Sequence, residues 1–328
     1  MNNAVSPDSK KPKNRLVSVY NEFSKNYAIF FALLVLFIFL SFASKAFLSV
    51  DNIMNMLRQG SIVAILAAGE FFVIISGQTD LSIGSTLALS GVLYAFMVKW
   101  PGMPPLLAAV LCILACMVIG AIGGTLVNFG IPAFISTLGL MLTVRGLVYV
   151  LTNCYPIINL PPDIKNLGRG YFLGIPIPAL IMFGVFIVVA VVAAKLPIGR
   201  YLYTIGGNEE AALLSGIKVD FYRMLAFTIC AALAGLAGII LTSRLDSGQA
   251  NAGLNYEFEA IIAVVIGGVS FKGGKGKAIG ALIGALFMAT LINGMTLLSV
   301  NSYIQQIIKG VVFVLAIGID VIRNRSKK

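Results

Sequence analysis

The chain has 328 residues, 59% of them hydrophobic and only 11% charged, with a formal net charge of +11 and a mean hydropathy of +0.95. Soluble domains hold about 45–50% apolar and about 25% charged residues, so the composition excludes a soluble enzyme, a disordered chain and a collagen-like protein. A membrane-spanning helix needs about 20 mostly apolar residues. The apolar content therefore suffices for roughly eight to ten such spans, and the expected class is an all-α polytopic membrane protein.

Histidine is absent, which removes His-centred triads, the usual zinc sites and imidazole proton relays. No metal site is expected. Three of the four cysteines, Cys112, Cys116 and Cys230, lie in apolar runs, where a thiol behaves as a small hydrophobe; Cys112 and Cys116 read as packing residues.

Residues 1–26 form a basic, polar segment with Lys10, Lys11, Lys13, Arg15 and Lys25. It reads as a cytoplasmic tail. The first span runs from about Tyr27 to Ala43, and its long polar leader and poor cleavage pattern favour a retained helix over a signal peptide. Nine further apolar stretches follow at about 53–76, 81–98, 105–127, 133–152, 174–195, 222–243, 258–271, 278–298 and 304–322. A cytoplasmic loop at 196–222 divides this transmembrane region (27–322), and a basic tail closes the chain at 323–328.

Ten spans put both termini on one side. With the N-terminus inside, 16 of the 24 basic residues fall in cytoplasmic segments and 6 on the opposite side or its margins, with Arg145 and Lys309 inside spans. Lys and Arg collect on the cytoplasmic side, so the split supports both termini being cytoplasmic. It also assigns the positive charge to topology and contact with the lipid bilayer rather than to nucleic acid. A faint internal echo links Val73–Thr79 with Val264–Ser270, both closing a span in the same direction.

The loop 196–222 carries the most informative pattern. Asn208 can cap a helix, Glu209 and Glu210 sit in its first turn, and Gly216 can stop it. A helix of about two turns outside the membrane is expected. Ala211 and Ala212 are small enough for a partner surface to come close, although a solvated connector would read alike. Asp80-Leu81-Ser82 opens a span on the cytoplasmic side; Asp80 can cap that helix, or the segment with Gly84 can act as a gate. Gly273 and Gly274 suit a tight turn or a partner contact. Glu70 and Arg145 are ionisable residues within spans, and such residues usually face a protein interior or a wet cavity. They are candidates either for a polar path, with Asn128, Thr137, Asn293 and Gln305, or for structural pairing. Across the membrane, Asp246 and the stretch Tyr256, Glu257 and Glu259 are candidates for a docking surface or a solvated loop.

The loop from Gly199 to Val219 resembles the GR-x-x-Y-x-x-GGN-x-x-AA-x-x-SGI-x-V segment of bacterial ABC importer permeases for sugars, the ribose, galactose, allose, xylose and arabinose permease family. Further stretches agree in order: Ser76–Ser85, Pro132–Gly139 with Arg145-Gly146, Tyr256–Gly276, and Lys309-Gly310 with Asp320. Glu259 stands where Asp is usual. The resemblance covers nearly the whole chain after residue 26. It implies a multi-helix permease half that works as a homodimer with a second permease copy. It also implies an ATP-binding subunit inside and an extracytoplasmic sugar-binding protein outside. The family's coupling helix maps onto Asn208–Gly216, and the coupling residues are Gly206, Gly207, Asn208, Glu209, Ala211, Ala212, Ser215, Gly216 and Ile217. The implied location is the cell inner membrane.

No cofactor is expected on this chain; ATP and Mg belong to the ATPase subunits. The closest approach to a phosphate-binding loop, Gly268–Lys275, has Gly where the motif needs Lys and follows a span rather than a strand. The chain is therefore read as a transport subunit and not an enzyme. A proton- or sodium-coupled carrier would want a mid-membrane carboxylate relay, and only Glu70 is a candidate, with no second carboxylate clearly beside it. An enzyme acting on lipid-linked sugars would want clustered carboxylates near one face, where Asp80 stands alone apart from the loop. A nucleoside, polyol or sugar-derivative permease is the alternative within the family.

Overall fold

The computed structural model describes residues 15–325, with side chains from 29 to 322. Thirteen α-helices follow one another: α1 Arg15–Ala43, α2 Val50–Ile75, α3 Ile83–Met97, α4 Pro105–Asn128, α5 Ala133–Thr152, α6 Lys165–Arg169, α7 Ile177–Lys195, α8 Pro197–Gly207, α9 Glu209–Leu214, α10 Val219–Leu245, α11 Tyr256–Ile266, α12 Ala278–Leu297 and α13 Ser302–Arg325. Each of the ten apolar stretches contains one helix. Helix α1 starts within the basic segment, so no break separates that part of the tail from the first span; residues 1–14 and 326–328 lie outside the described residues.

Among the described residues seven helices are long and apolar enough to cross a membrane: α2, α4, α5, α7, α10, α12 and the Ser302–Ile322 part of α13. The apolar part of α1 (Ile29–Ala43) and α3 are shorter, and α11 has only 11 residues. The chain is an all-α polytopic membrane protein. Among the described residues the one sheet is a minimal hairpin, β1 Tyr171–Phe172 against β2 Ile175–Pro176, turned by Leu173 and Gly174 at positive φ.

Helices α2 and α10 form the centre. The membrane-length part of α2 is largely buried inside the protein, whereas that of α13 is almost entirely uncovered. Water supplies no drive for helix association in a bilayer, so packing there relies on small residues that let backbones approach. A Cβ on Gly120 would collide with the Phe227 carbonyl of α10, and one on Gly124 would lie 2.6 Å from the Met224 Cα. The α3–α10 contact closes at Gly238 against the Leu87 carbonyl and is tied by Ser90 Oγ, which donates to Gly235 O at 2.7 Å. The cysteines in apolar runs are buried and unpaired, while Cys154 is exposed.

The internal echo has a structural counterpart. Helix α2 ends with Gly77 N–H donating to Ile74 O (2.9 Å) and Gln78 N–H to Val73 O (3.1 Å). Helix α11 ends with Gly268 N–H donating to Val265 O (2.9 Å) and Val269 N–H to Val264 O (3.3 Å). Both glycines sit near φ +85°. This is the same left-handed cap, in which glycine carries no Cβ penalty.

Candidate functional site

Helix α9 forms where the sequence predicts it. Asn208 is extended, and its side-chain oxygen accepts from Ala211 N–H at 3.0 Å. The helix stops because Gly216 turns left-handed at φ +75°, with Gly216 N–H donating to Leu213 O (2.9 Å) and Ile217 N–H to Ala212 O (3.1 Å). Ala212 is fully buried with Ile205 and Val219. That corrects its expected role: Ala212 seats α9 on its own protein and leaves no surface for a partner. The exposed face carries Glu209, Glu210, Ala211, Leu213 and Leu214, with Leu214 at 90%. Asn208→Ala should cost α9 about 1 kcal/mol, read as faster amide exchange at Ala211 and Ala212; unchanged protection would show that the cap is dispensable.

One guanidinium orients this helix. Arg223 of α10 meets Glu209 of α9 at 2.5 Å and Asp220 at 3.8 Å. It also donates to Asn128 Oδ1 of α4 at 3.2 Å, while Asn128 Nδ2 donates to Asp220 O at 2.8 Å. Asn128 thus belongs to a clasp beside α9 and not to a polar path.

Three glycine motifs far apart in sequence meet next to α9. Gly274 N–H donates to Ile75 O, the last residue of α2, at 2.9 Å. A Cβ on Gly206 would strike that same carbonyl and lie 2.7 Å from Gly274 N. A Cβ on Gly273 would sit 2.7 Å from the Gly77 backbone and 2.9 Å from the Gly206 Cα. The end of α2, the end of α8 and the loop before α12 are therefore in backbone contact. Gly206, expected to couple through its surface, is enclosed here, whereas Gly207 is exposed with open space around it. Tyr203 ties α8 to the same loop by donating to Gly276 O at 2.7 Å, and burial raises its phenol above the ordinary value. Asp320 of α13 accepts from Phe271 N–H at 3.0 Å, which extends the junction to the last helix.

The other expected gate residues do not form one cluster. Asp80 is buried, and its carboxylate accepts from Ser82 N–H (2.8 Å) and Ser82 Oγ (2.6 Å) instead of capping α3. Ser82 is the cap residue and makes no side-chain cap bond. Asp80 N–H donates to Glu70 Oε1 at 3.0 Å, and Cys230 Sγ lies 3.6 Å from Glu70 Oε2. Glu70 is fully enclosed. It holds the segment after α2 against α2 rather than lining a path, and a second carboxylate does accompany it. Leu81 is core. Gly84 lies elsewhere, where its Cβ would meet Glu257 Oε2 and Gly253 O. The starts of the short helices α3 and α11 therefore touch.

Arg145 lies within electrostatic reach of that contact, and its Nη1 donates to Ala250 O (2.7 Å) and Ala252 O (2.8 Å). It braces the loop between α10 and α11. Thr137 is buried and donates to Ala133 O within its own helix, and Gln305 donates to Val300 O at 2.9 Å. Both side chains are thus engaged by their own or the adjoining backbone.

At the end of the bundle away from α9, a cavity of about 340 Å³ opens between α2, α10, α11, α12 and α13. Of the six expected path residues, only Asn293 lines it, exchanging side-chain hydrogen bonds with Asn52 at 2.9 and 3.1 Å. Asn55 and Gln59, missed in the sequence, line it too. Their spacing of four on α2 was the signal that could have found them. Tyr256 is also in its wall. Glu257 and Glu259 are buried, which corrects the expectation that they dock a partner: Glu257 faces Gly84, and Glu259 pairs with Lys309 at 2.6 Å. Asp246 is partly exposed and pairs with Lys165 at 2.8 Å.

Residues 52–317 match the family described as branched-chain amino acid transport system / permease component. The chain is 46% identical over 294 residues to the ribose import permease protein RbsC of Bacillus subtilis, covering 89% of this chain and 91% of that one. It is 35% identical to the D-allose transport system permease protein AlsC of Escherichia coli, covering 95% and 94%. The xylose transport system permease protein XylH of Haemophilus influenzae is 33% identical, with 92% and 97% covered. No solved structure matches. The chain belongs to this permease family of ABC importers, alongside its sugar-importing relatives, and is a multi-pass protein of the inner membrane.

Proposed function

We propose that the chain imports a monosaccharide as one permease half of an ATP-driven importer. The observation that carries this is α9: a capped two-turn helix with two exposed leucines, seated on a glycine junction that joins three parts of the bundle. Such a helix can receive a push from a docked subunit and pass it into α2, α8 and α12 through backbone contacts that do not yield. Ribose is the first cargo to test, because identity is higher to the ribose permeases (43–46%) than to the allose and xylose permeases (35% and 33%).

In this reading the ten helices all cross or enter the membrane, both termini are cytoplasmic, and α9 lies inside, consistent with the distribution of Lys and Arg. The domain limits are a tail at 1–26, the permease at 27–322 with its loop at 196–222, and a tail at 323–328. The ATP-binding subunit docks on α9, and an extracytoplasmic sugar-binding protein docks at the far end. The lightly buried α13 suits a second permease copy. No cofactor is held here; ATP and Mg act on the partner, since Gly274 stands where a phosphate loop needs Lys.

Cross-linking tests this reading. With Cys154 replaced by Ser, Leu214→Cys should cross-link to the ATP-binding subunit in membranes, and Leu214→Asp should abolish complex formation while leaving the permease folded. A permease that assembles unchanged with Asp at 214 would remove α9 as the docking element.

A further inference from the structure

Among the described residues the exposed Trp and Tyr side chains are Trp100, Tyr155, Tyr171 and Tyr303. All four lie at the end of the bundle away from α9. Trp100 precedes α4, whose other end is clasped beside α9. Tyr155 follows α5, Tyr171 precedes α7, which runs down to α8, and Tyr303 is in the first turn of α13. Trp and Tyr concentrate where a bilayer meets water, because the ring is apolar and its N–H or O–H is not. The distribution marks the level of the headgroups at that end.

The β1–β2 hairpin lies at this level. Tyr171, Phe172, Leu173, Gly174 and Ile175 are all exposed, and none is charged. Both central residues of its two-residue turn are left-handed, Leu173 at φ +51° and Gly174 at φ +78°. Such a turn usually carries Asn or Asp before Gly, since a bulky side chain is strained there. Here a leucine takes that place and is 87% exposed. In water the choice is unfavourable twice over, through backbone strain and through bare apolar surface. At a membrane interface only the strain remains, and burial in lipid offsets it.

The hairpin is held at its base. Gly168 N–H donates to Ser243 Oγ at 2.8 Å, and Arg169 Nε donates to Arg244 O at 2.7 Å. Arg58 of α2 has Nε and Nη2 buried with no hydrogen-bond partner among the described residues. Its guanidinium stands 4.7 Å from the Tyr171 ring centroid, and the ring face receives that charge. After the hairpin, Pro176 is buried and α7 begins at once. Helix α7 is long and apolar enough to cross a membrane. Phe183, Ile187 and Val191, spaced by four, are exposed along one side of it. The apolar tip thus continues a stripe of the kind that meets acyl chains.

We propose that the hairpin is an interfacial anchor: Phe172 and Leu173 insert at headgroup level into the leaflet away from α9, and Arg58 holds Tyr171 in place above α2. The partner is the phospholipid bilayer itself, whichever solute the permease carries.

The chain has one tryptophan, so two changes make the test. In the full-length permease in phosphatidylcholine vesicles, Trp100→Phe with Phe172→Trp puts the only indole on the hairpin. Phosphatidylcholine brominated near the top of its acyl chains should quench it about twofold or more, and iodide on both sides of the membrane should quench it roughly threefold less than free tryptophan. Adding Leu173→Asn, the residue such a turn favours in water, should weaken the bromolipid quenching about twofold and admit iodide. An indole open to iodide and untouched by bromolipid would overturn the anchor. Protection from iodide that appears only on adding the sugar-binding protein would make the tip a docking surface instead. Protection from both quenchers would place the tip against protein, and quenching that Leu173→Asn leaves unchanged would remove Leu173 from the contact; either result also refutes the proposal.

Discussion

Gly206→Ala is expected to abolish ATP-driven uptake, although alanine favours a helix over glycine by about 0.5–1 kcal/mol. The new methyl group would be driven into the Ile75 carbonyl and to 2.7 Å from the Gly274 nitrogen, backbone atoms that no rotamer change can move. Inserting a methyl into so tight a contact costs about 1–3 kcal/mol or more, so the clash outweighs the propensity gain. Gly207→Ala is the control in the same helix: nothing lies within 4 Å of its Cβ position, and it should be neutral or slightly stabilising. Gly273→Ala should be as damaging as Gly206→Ala, since it adds a left-handed backbone (φ +85°) to contacts of 2.7–2.9 Å. Thermal unfolding in detergent and vesicle uptake check the series. Equal behaviour of the 206 and 207 variants would contradict the junction.

The second large effect is expected at Arg223. Its side chain is 7% exposed, while its acidic partners Glu209 and Asp220 are 49% and 76% exposed. Those carboxylates can rehydrate when the guanidinium is removed, so the stability loss in Arg223→Met should be modest, about 1–2 kcal/mol. The functional loss should exceed it. Without the clasp the polar tie that joins α9, α10 and the end of α4 is lost, and uptake should fall by an order of magnitude or more. Arg223→Lys should not restore it, because a single ammonium cannot reach Glu209 and Asn128 in the fork geometry that a guanidinium supplies. Uptake that follows stability in strict proportion would mean that Arg223 is only a fold residue.

Local chemistry made α9 legible in the sequence: a capping Asn, acidic first-turn residues and a stopping Gly within nine positions specify a helix without help from the rest of the chain. The apolar stretches likewise located every long helix. What surrounds α9 was not legible. Gly206 looks like a loop residue until Ile75 and Gly274, 131 and 68 positions away, close on it. Glu70 and Asp80 lie ten apart, but their contact requires the segment after α2 to fold back along that helix. Glu257 and Glu259 read as surface residues because they open a helix at the end of a polar loop; Gly84 and Lys309, from distant helices, bury them. Asn52 and Asn293 meet across 241 positions, which no periodicity encodes. The local elements of the docking site were therefore readable, and the long-range contacts that transmit force or line the cavity were not.

The most direct test of the account is ribose uptake by the complete importer in sealed vesicles, with ATP supplied on the side of the ATP-binding subunit. The account predicts uptake that requires ATP, the ATP-binding subunit and the sugar-binding protein, and that Leu214→Asp eliminates while the permease remains folded. Uptake that persists without ATP, or that Leu214→Asp leaves intact, would contradict it.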